Sequence, residues 1–194
     1  MRCDIVLAGV GGQGVLSIGA IIAAAALEEG LYVKQSEVHG MSQRGGAVQA
    51  NLRISDSPIG SDLIPKGRAT MILSMEPMES LRYLEFLSPD GTLITSSKPV
   101  LNIAQYPDLD EVLDAVRKLP HSILVDADRL ARESGAARST NMVIVGAAAG
   151  FLPIEPAVIE RFILKKFRSK GEKVTDINLK AFRAGREAAV CTPT

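Results

Sequence analysis

Residues 5–14 read Ile-Val-Leu-Ala-Gly-Val-Gly-Gly-Gln-Gly, and this stretch decides the fold. Its first four residues form a short apolar run that a glycine ends, which is typical of a buried strand. The next segment, residues 15–29, is rich in Ala and Ile and predicts a helix that Gly30 ends. Residues 31–36 predict the second strand. The order of strand, glycine turn, helix and strand predicts a right-handed βαβ unit within a parallel sheet.

The rest of the chain continues this alternation, with one exception. Residues 47–54 alternate apolar and polar side chains, so we expect a half-exposed, antiparallel strand there. Three more apolar runs predict strands at residues 70–74, 92–95 and 122–126, and a turn is predicted at Pro89-Asp90-Gly91. We therefore expect a single three-layer, Rossmann-like α/β domain over residues 1–190, with a mostly parallel sheet and one antiparallel strand. Residues 191–194 are expected to form a tail.

Composition and charge exclude several classes of protein. Lys plus Arg and Asp plus Glu both total 22, so the net charge is zero, whereas a protein that binds nucleic acid usually carries a basic excess. Glycines interrupt the uncharged run of residues 5–27, and the helical stretch of about 13 residues that remains is too short to span a membrane. The sequence therefore predicts a cytoplasmic protein. Cys3 and Cys191 lie near opposite ends, so no set of ligands for zinc or an iron–sulfur cluster is expected.

The glycine turn is the first candidate site. Gly9-Val10-Gly11-Gly12-Gln13-Gly14 matches G-x-G-x-x-G after a strand and before a helix. Glycines allow a ligand to approach the backbone closely, and the start of a helix favours an anion. Glu37 follows Gly14 by 23 residues, where an acid could bind the ribose of a dinucleotide. The pattern fits a dinucleotide site, and it fits a tight turn without a ligand equally well.

The second candidate site is the polar loop Glu37-Val38-His39-Gly40-Met41-Ser42-Gln43-Arg44-Gly45-Gly46. His39 could titrate near neutral pH. Arg44 presents a planar guanidinium suited to a carboxylate or phosphate, and Gly45 and Gly46 would let that anion reach backbone N–H groups. The alternative is that Glu37 and Arg44 only pair with each other and hold the loop together.

A third stretch, Asn141-Met142-Val143-Ile144-Val145-Gly146-Ala147, predicts a helix of small and apolar residues that Asn141 caps. Together with the glycine turn and the E-x-H-G-M-S-Q-R-G-G loop, it resembles the gamma-type domain of pyruvate and related 2-oxoacid:ferredoxin oxidoreductases. The resemblance covers nearly the whole chain in order. The form that stands alone at this length is most similar to the small (beta) subunits of the indolepyruvate:ferredoxin group.

This resemblance implies an activity and a partner. Such complexes convert a 2-oxoacid, CoA and oxidised ferredoxin into acyl-CoA, carbon dioxide and reduced ferredoxin, using thiamine diphosphate with Mg²⁺ and [4Fe–4S] clusters. A cluster needs four cysteine ligands, and no Gly-Asp-Gly motif for the thiamine diphosphate appears in this chain. We therefore expect both cofactors on a large catalytic subunit, with this chain not catalytic alone and in contact with ferredoxin only indirectly.

The resemblance also implies where a ligand or partner would bind. We expect the glycine turn and the polar loop to form one surface at the carboxyl ends of adjacent strands, where α/β sheets usually place ligands. CoA phosphates or acidic groups of the partner would meet Arg44 and the loop amides there. A free-standing dinucleotide-binding protein and a regulatory module that senses a small anion remain alternatives. The candidate residues are Gly9, Gly11, Gly12, Gln13, Gly14, Glu37, His39, Arg44, Gly45, Gly46 and Asn141.

Overall fold

Six strands form one sheet in the computed structural model, which describes residues 1–39, 45–103 and 105–190. The strands are β1 (Arg2–Val10), β2 (Tyr32–His39), β3 (Ala47–Ser55), β4 (Ala69–Ser74), β5 (Leu87–Ser96) and β6 (Ser122–Val125). Their order is β2-β3-β1-β4-β5-β6. β1, β4, β5 and β6 run parallel, whereas β3 runs antiparallel to both of its neighbours. The expected mostly parallel sheet with one antiparallel strand is therefore confirmed.

Helices cover both faces of this sheet and give the expected three layers. They are α1 (Val15–Glu28), α2 (Pro77–Arg82), α3 (Leu109–Arg117), α4 (Ala127–Glu133), α5 (Thr140–Ala148), α6 (Pro156–Phe167) and α7 (Glu172–Val190). Side chains alternate along β1, so Ile5 and Leu7 pack against the layer of α1, α4, α5, α6 and α7. Val6 faces the opposite side, which α2, α3 and the connection after β3 cover. Among the described residues, no helix combines the length and the apolar character needed to cross a membrane.

The predicted βαβ unit is present, but its two strands are not neighbours. β3 lies between β1 and β2 and pairs with each along its length, from Arg2 opposite Ser55 to Val10 opposite Ala47 on the β1 side. β1 and β2 point the same way because each is antiparallel to β3. The expectation that β1 and β2 are neighbours is therefore wrong, because β3 lies between them. The carboxyl ends of β1 and β2 still lie at the same edge of the sheet, on either side of the start of β3.

The polar face of β3 is buried, contrary to the half-exposed strand that its alternation predicts. Asn51 and Arg53 are each only 4% exposed because residues 56–68 fold over them. The Arg53 guanidinium donates to the Asp4 carboxylate, with Nε 2.8 Å from Oδ1, and to the carbonyl oxygens of Ser61 and Leu63 at 2.8 and 2.6 Å. The alternation therefore identifies the strand correctly, but long-range partners decide its burial.

The predicted turn at Pro89-Asp90-Gly91 is incorporated into β5, which begins at Leu87. The pairing of β5 with β4 shifts register between Ala69 and Met71, beside this segment. A proline and a glycine at an irregular part of a strand are compatible with such a shift. The turn prediction was therefore wrong.

α5 and α7 pack with their backbones in contact. A Cβ placed on Gly146 would overlap the carbonyl oxygen of Phe182, and a Cβ on Gly185 would overlap that of Val143. Phe182 is itself fully buried in the core. Two glycines that face each other's helix therefore set the separation of α5 and α7.

This contact makes a prediction about stability. Gly146→Ala should lower the free energy of unfolding by about 2 kcal/mol, since overpacking outweighs the gain in helix propensity. The measurement is urea unfolding of the full chain. Gly150→Ala is the control, because a Cβ there meets nothing within 4 Å, and we expect a change within about 0.5 kcal/mol. Equal stability of the Gly146→Ala variant and the parent would show that the helices can separate without cost.

Candidate functional site

The glycine turn joins the carboxyl end of β1 to the start of α1. Gly14 occupies the N-cap position with φ +83°, in the left-handed region that favours glycine, and no side chain caps the helix. Gly12 is exposed and lies in open space, while Gly9 is the last but one residue of β1 and is buried. Within the part of the chain that the structure describes, the first amides of this 14-residue helix are therefore left without a capping side chain.

Gln13 holds the turn in place through its amide side chain. Its Oε1 accepts a hydrogen bond from the N–H of Val10 at 2.7 Å, and its Nε2 donates to the carbonyl oxygen of Met75 at 3.1 Å. Met75 directly follows β4, so Gln13 connects the ends of two adjacent parallel strands. Gln13 was predicted to bind a ligand or a partner. In the structure its side chain bonds to backbone groups of Val10 and Met75, and its part in binding stays a prediction.

The two candidate motifs meet through a pair of backbone hydrogen bonds. The N–H of Gly11 donates to the carbonyl oxygen of Gly46 at 2.8 Å, and the N–H of Gly45 donates to the carbonyl oxygen of Gly11 at 3.2 Å. The end of the polar loop is thereby fixed against the glycine turn. The structure brings Gly11, Gly45 and Gly46 together as expected, and their part in binding a ligand stays a prediction.

The remaining residues of the polar loop are placed only in part. Glu37 is an exposed residue of β2, and its Oε1 accepts a hydrogen bond from Gln35 Nε2 at 2.9 Å. β3 separates Glu37 from the glycine turn, which increases their separation by one strand spacing of about 4.8 Å compared with adjacent strands. His39 is the last residue of β2, and its side chain lies outside the described residues, as does Arg44. Their roles stay predictions.

Asn141 borders the glycine turn, although it does not cap α5. The helix begins one residue earlier, at Thr140, so that Ser139 holds the N-cap position and Asn141 lies within the first turn. Its Nδ2 is 3.1 Å from the point where a Cβ on Gly14 would lie. The capping prediction was wrong. The structure places Asn141 beside Gly14, so that the start of α5 approaches the start of α1.

The comparisons with known proteins agree with this geometry. Residues 4–188 match the family model of pyruvate ferredoxin/flavodoxin oxidoreductase. The chain belongs to this family.

Relatives in this oxidoreductase family match along the full chain. Indolepyruvate oxidoreductase subunit IorB from Archaeoglobus fulgidus is 39% identical over 199 residues, which cover 98% of this chain and 96% of the relative. The gamma subunit of a keto/oxoacid ferredoxin oxidoreductase from Geobacter sulfurreducens superposes with a TM-score of 0.72 at 25% identity, covering 98% of this chain and 99% of that one. The prediction of a small subunit of a 2-oxoacid:ferredoxin oxidoreductase is confirmed.

A larger member of the fold contains the same domain. The structure of 2-oxoglutarate:ferredoxin oxidoreductase from Magnetococcus marinus, with 2-oxoglutarate, coenzyme A and succinyl-CoA bound, superposes with a TM-score of 0.80 at 24% identity. The match covers 99% of this chain and 32% of that protein. At this identity the likeness establishes the fold, and the bound molecules are properties of that protein.

The described residues do not offer ligands for an iron–sulfur cluster or a metal ion. A cluster needs cysteine thiolates, whereas Cys3 is buried in β1, and burial raises the pKa of its thiol, which favours the protonated form. Within the described ranges, no three His, Cys, Asp or Glu side chains gather so that they could hold a metal ion. No reaction step is therefore assigned to these cofactors on this chain.

Three further side chains at this sheet edge were missed by sequence reasoning. They are Glu76, Asn102 and Tyr106. Glu76 bonds to Val100 and Tyr106 in the connection after β5, and Asn102 of the same connection bonds to Gly45. A signal existed for Glu76, since an acidic residue directly before Pro77 is typical of a helix start. Nothing in the sequence pattern marks Asn102 or Tyr106, because their contacts lie far away along the chain.

The two hydrogen bonds of the Gln13 side chain, called the Gln13 clamp below, lead to a prediction about stability. Gln13→Ala should lower the free energy of unfolding by about 1–2 kcal/mol, because the N–H of Val10 loses its acceptor in a partly buried position. Gln13→Glu is the matched variant: it keeps an acceptor for Val10 but replaces the donor to Met75 with a carboxylate oxygen. We expect it to lie between the parent and Gln13→Ala in thermal denaturation at neutral pH. Two variants as stable as the parent would contradict the Gln13 clamp.

Proposed function

We propose that the chain is the small subunit of an indolepyruvate-type 2-oxoacid:ferredoxin oxidoreductase. The reaction would convert an arylpyruvate-like 2-oxoacid, CoA and oxidised ferredoxin into acyl-CoA, carbon dioxide and reduced ferredoxin. The observation that carries this proposal is the 39% identity to an indolepyruvate oxidoreductase subunit over 98% of this chain and 96% of the relative. A match along both whole chains favours the same subunit role, rather than a shared domain in a different protein.

We infer that a large partner subunit carries the thiamine diphosphate with Mg²⁺ and the [4Fe–4S] clusters. This chain has two cysteines in total, fewer than a single cluster requires. The carbanion chemistry and the electron transfer are therefore assigned to the partner. What this chain can supply is a surface, held at Gly11, Gly45 and Gly46 by backbone hydrogen bonds, against which the partner or a substrate is oriented.

The glycine turn and the neighbouring Arg44 loop are proposed as the CoA-facing part of that surface. The uncapped start of α1 at Gly14 and the start of α5 at Asn141 approach each other here, and helix starts carry partial positive charge. Arg44 is bonded covalently to Gly45, whose N–H is held by Gly11. A guanidinium is suited to the phosphates of CoA or to acidic groups of the partner, and two helix starts nearby would favour the same anions.

The rival dinucleotide-binding function is less well supported. A dinucleotide needs the acid on the second strand close to the glycine turn, and β3 intervenes between β2 and β1. The side chain of Gln13, at the centre of the turn, is occupied with backbone groups. The geometry thus favours a surface for a partner or CoA.

Co-expression tests the subunit function. The tagged chain, produced beside candidate large subunits, should co-purify as a brown complex that reduces viologen in a CoA-dependent reaction only when both chains are present. Indolepyruvate, pyruvate and 2-oxoglutarate are compared as substrates, and the fastest identifies the oxoacid. A colourless chain that activates no partner, and that binds NADH in a fluorescence titration, would instead establish the dinucleotide function.

Arg44→Ala tests the CoA-facing surface within that complex. Loss of one charge-assisted hydrogen bond should raise KM for CoA by roughly tenfold, with kcat and KM for the oxoacid unchanged. Arg44→Lys should recover part of the loss, since it keeps the charge but not the planar fork. The control is Arg117→Ala, an exposed arginine of α3 that pairs with Asp114. Failure of the complex to assemble would assign Arg44 to the partner contact, and unchanged CoA kinetics would refute the proposal.

A further inference from the structure

Glu76 is a buried carboxylate at the carboxyl edge of the sheet. It follows β4 by two residues and is only 1% exposed. Within the described ranges no Lys or Arg side chain forms an ion pair with it, and a buried charge without a counter-ion is costly unless several donors reach it. Such a residue needs a structural reason for its position.

The donors to Glu76 come from two separate elements. Oε2 accepts the N–H of Glu79 at 2.8 Å and so caps α2. Oε1 accepts the O–H of Tyr106 at 2.6 Å and the N–H of Val100 at 3.3 Å. The carboxylate therefore fixes two points, six residues apart, in the connection formed by residues 97–108.

This connection reaches the candidate site through Asn102. The N–H of Asn102 donates to the carbonyl oxygen of Val100 at 2.9 Å, which folds the chain back just beyond the point held by Glu76. The Nδ2 of Asn102 then donates to the carbonyl oxygen of Gly45. Gly45 is therefore held from two sides, by Asn102 and by Gly11.

The hydrogen bonds close into a ring. From Gly45 the path continues to Gly11 and along the turn to Gln13, whose Nε2 donates to the carbonyl oxygen of Met75. Met75 is the residue directly before Glu76. The ring thus joins the glycine turn, the end of the polar loop and the connection after β5. Glu76 is the residue that bonds this connection to the rest of the ring.

We propose that Glu76 is a positioning residue, which holds Val100 and Tyr106 so that Asn102 fixes Gly45 against the glycine turn. In this role Glu76 acts through the position of the Gly45 backbone rather than by contact with a substrate. Its effect on CoA binding rests on the function proposed above, whereas its effect on the ring does not.

The state of Tyr106 supports this role. Burial, together with its hydrogen bond to Glu76, raises the pKa of the Tyr106 phenol well above its ordinary value. The phenol therefore stays protonated at physiological pH and remains a donor to the carboxylate.

Hydrogen exchange in the full chain tests the ring without any assumption about function. Glu76→Gln replaces one carboxylate oxygen with an N–H₂ group, which cannot accept the hydrogen bonds that the surrounding N–H and O–H donors make. Tyr106→Phe removes one of these donors and leaves the cap of α2 intact. Both should speed exchange of the Gly11 and Gly45 amides by roughly tenfold relative to amides in the middle of β1. Glu79→Gln is the control, because it neutralises a neighbouring buried carboxylate that pairs with Arg82 outside the ring.

The outcomes separate the two proposals. Faster exchange at Gly11 and Gly45 in Glu76→Gln and Tyr106→Phe, but not in Glu79→Gln, supports the positioning role. Unchanged exchange in Tyr106→Phe overturns it, and this holds even if Glu76→Gln does not fold. In the complex, KM for CoA should rise in Glu76→Gln with kcat little changed. Faster exchange with unchanged CoA kinetics would support the ring and overturn the CoA-facing assignment instead.

Discussion

The antiparallel pairing of β3 with β1 is the constraint on which the rest of the structure depends. All nine residues of each strand are paired, from Arg2 opposite Ser55 to Val10 opposite Ala47. Successive side chains point to opposite faces, so a slip by one residue would exchange the apolar and polar faces of β3. The same slip would move Gly46 away from Gly11. One register therefore sets both the burial of the core and the joining of the two candidate motifs.

A buried ion pair marks that register. Arg53 lies directly opposite Asp4 in the pairing, and the guanidinium reaches both oxygens of the carboxylate, at 2.8 and 3.3 Å. Arg2 adds a second contact to Asp4 at 2.8 Å. A pair of buried charges adds little net stability, but leaving one of them without its partner is very costly. The interaction therefore acts mainly against alternative registers, in which Arg53 would be buried without a counter-charge.

Local patterns in the sequence were sufficient to predict β1, the glycine turn, α1 and the antiparallel direction of β3. They could not place β3 between β1 and β2, because its polar residues resemble those of an exposed face. The partners that bury Arg53 come from Asp4 and from the connection after β3, and no periodicity reveals such contacts.

The candidate site was predictable to a similar extent. The glycines that join the two motifs stand out in the sequence, and so does Asn141 beside them. The contact between Glu76 and Tyr106 does not, since these residues lie 30 positions apart and meet only in the folded protein. Gln13 was identified as a candidate residue because it lies among glycines. Its hydrogen bond to the carbonyl oxygen of Met75 could not be predicted, because Met75 is distant along the chain and approaches Gln13 only in the folded protein.

The hairpin formed by β2 and β3 has a consequence for how this surface can diverge. Its connection, residues 40–46, begins and ends on strands that are paired with each other. The entropy of closing such a loop grows only with the logarithm of its length, so that doubling it costs about 0.6 kcal/mol. Insertions and deletions there are therefore cheap for the sheet, while Gly45 and Gly46 keep the returning end anchored. The length of this connection can thus change without any change in the sheet that carries it.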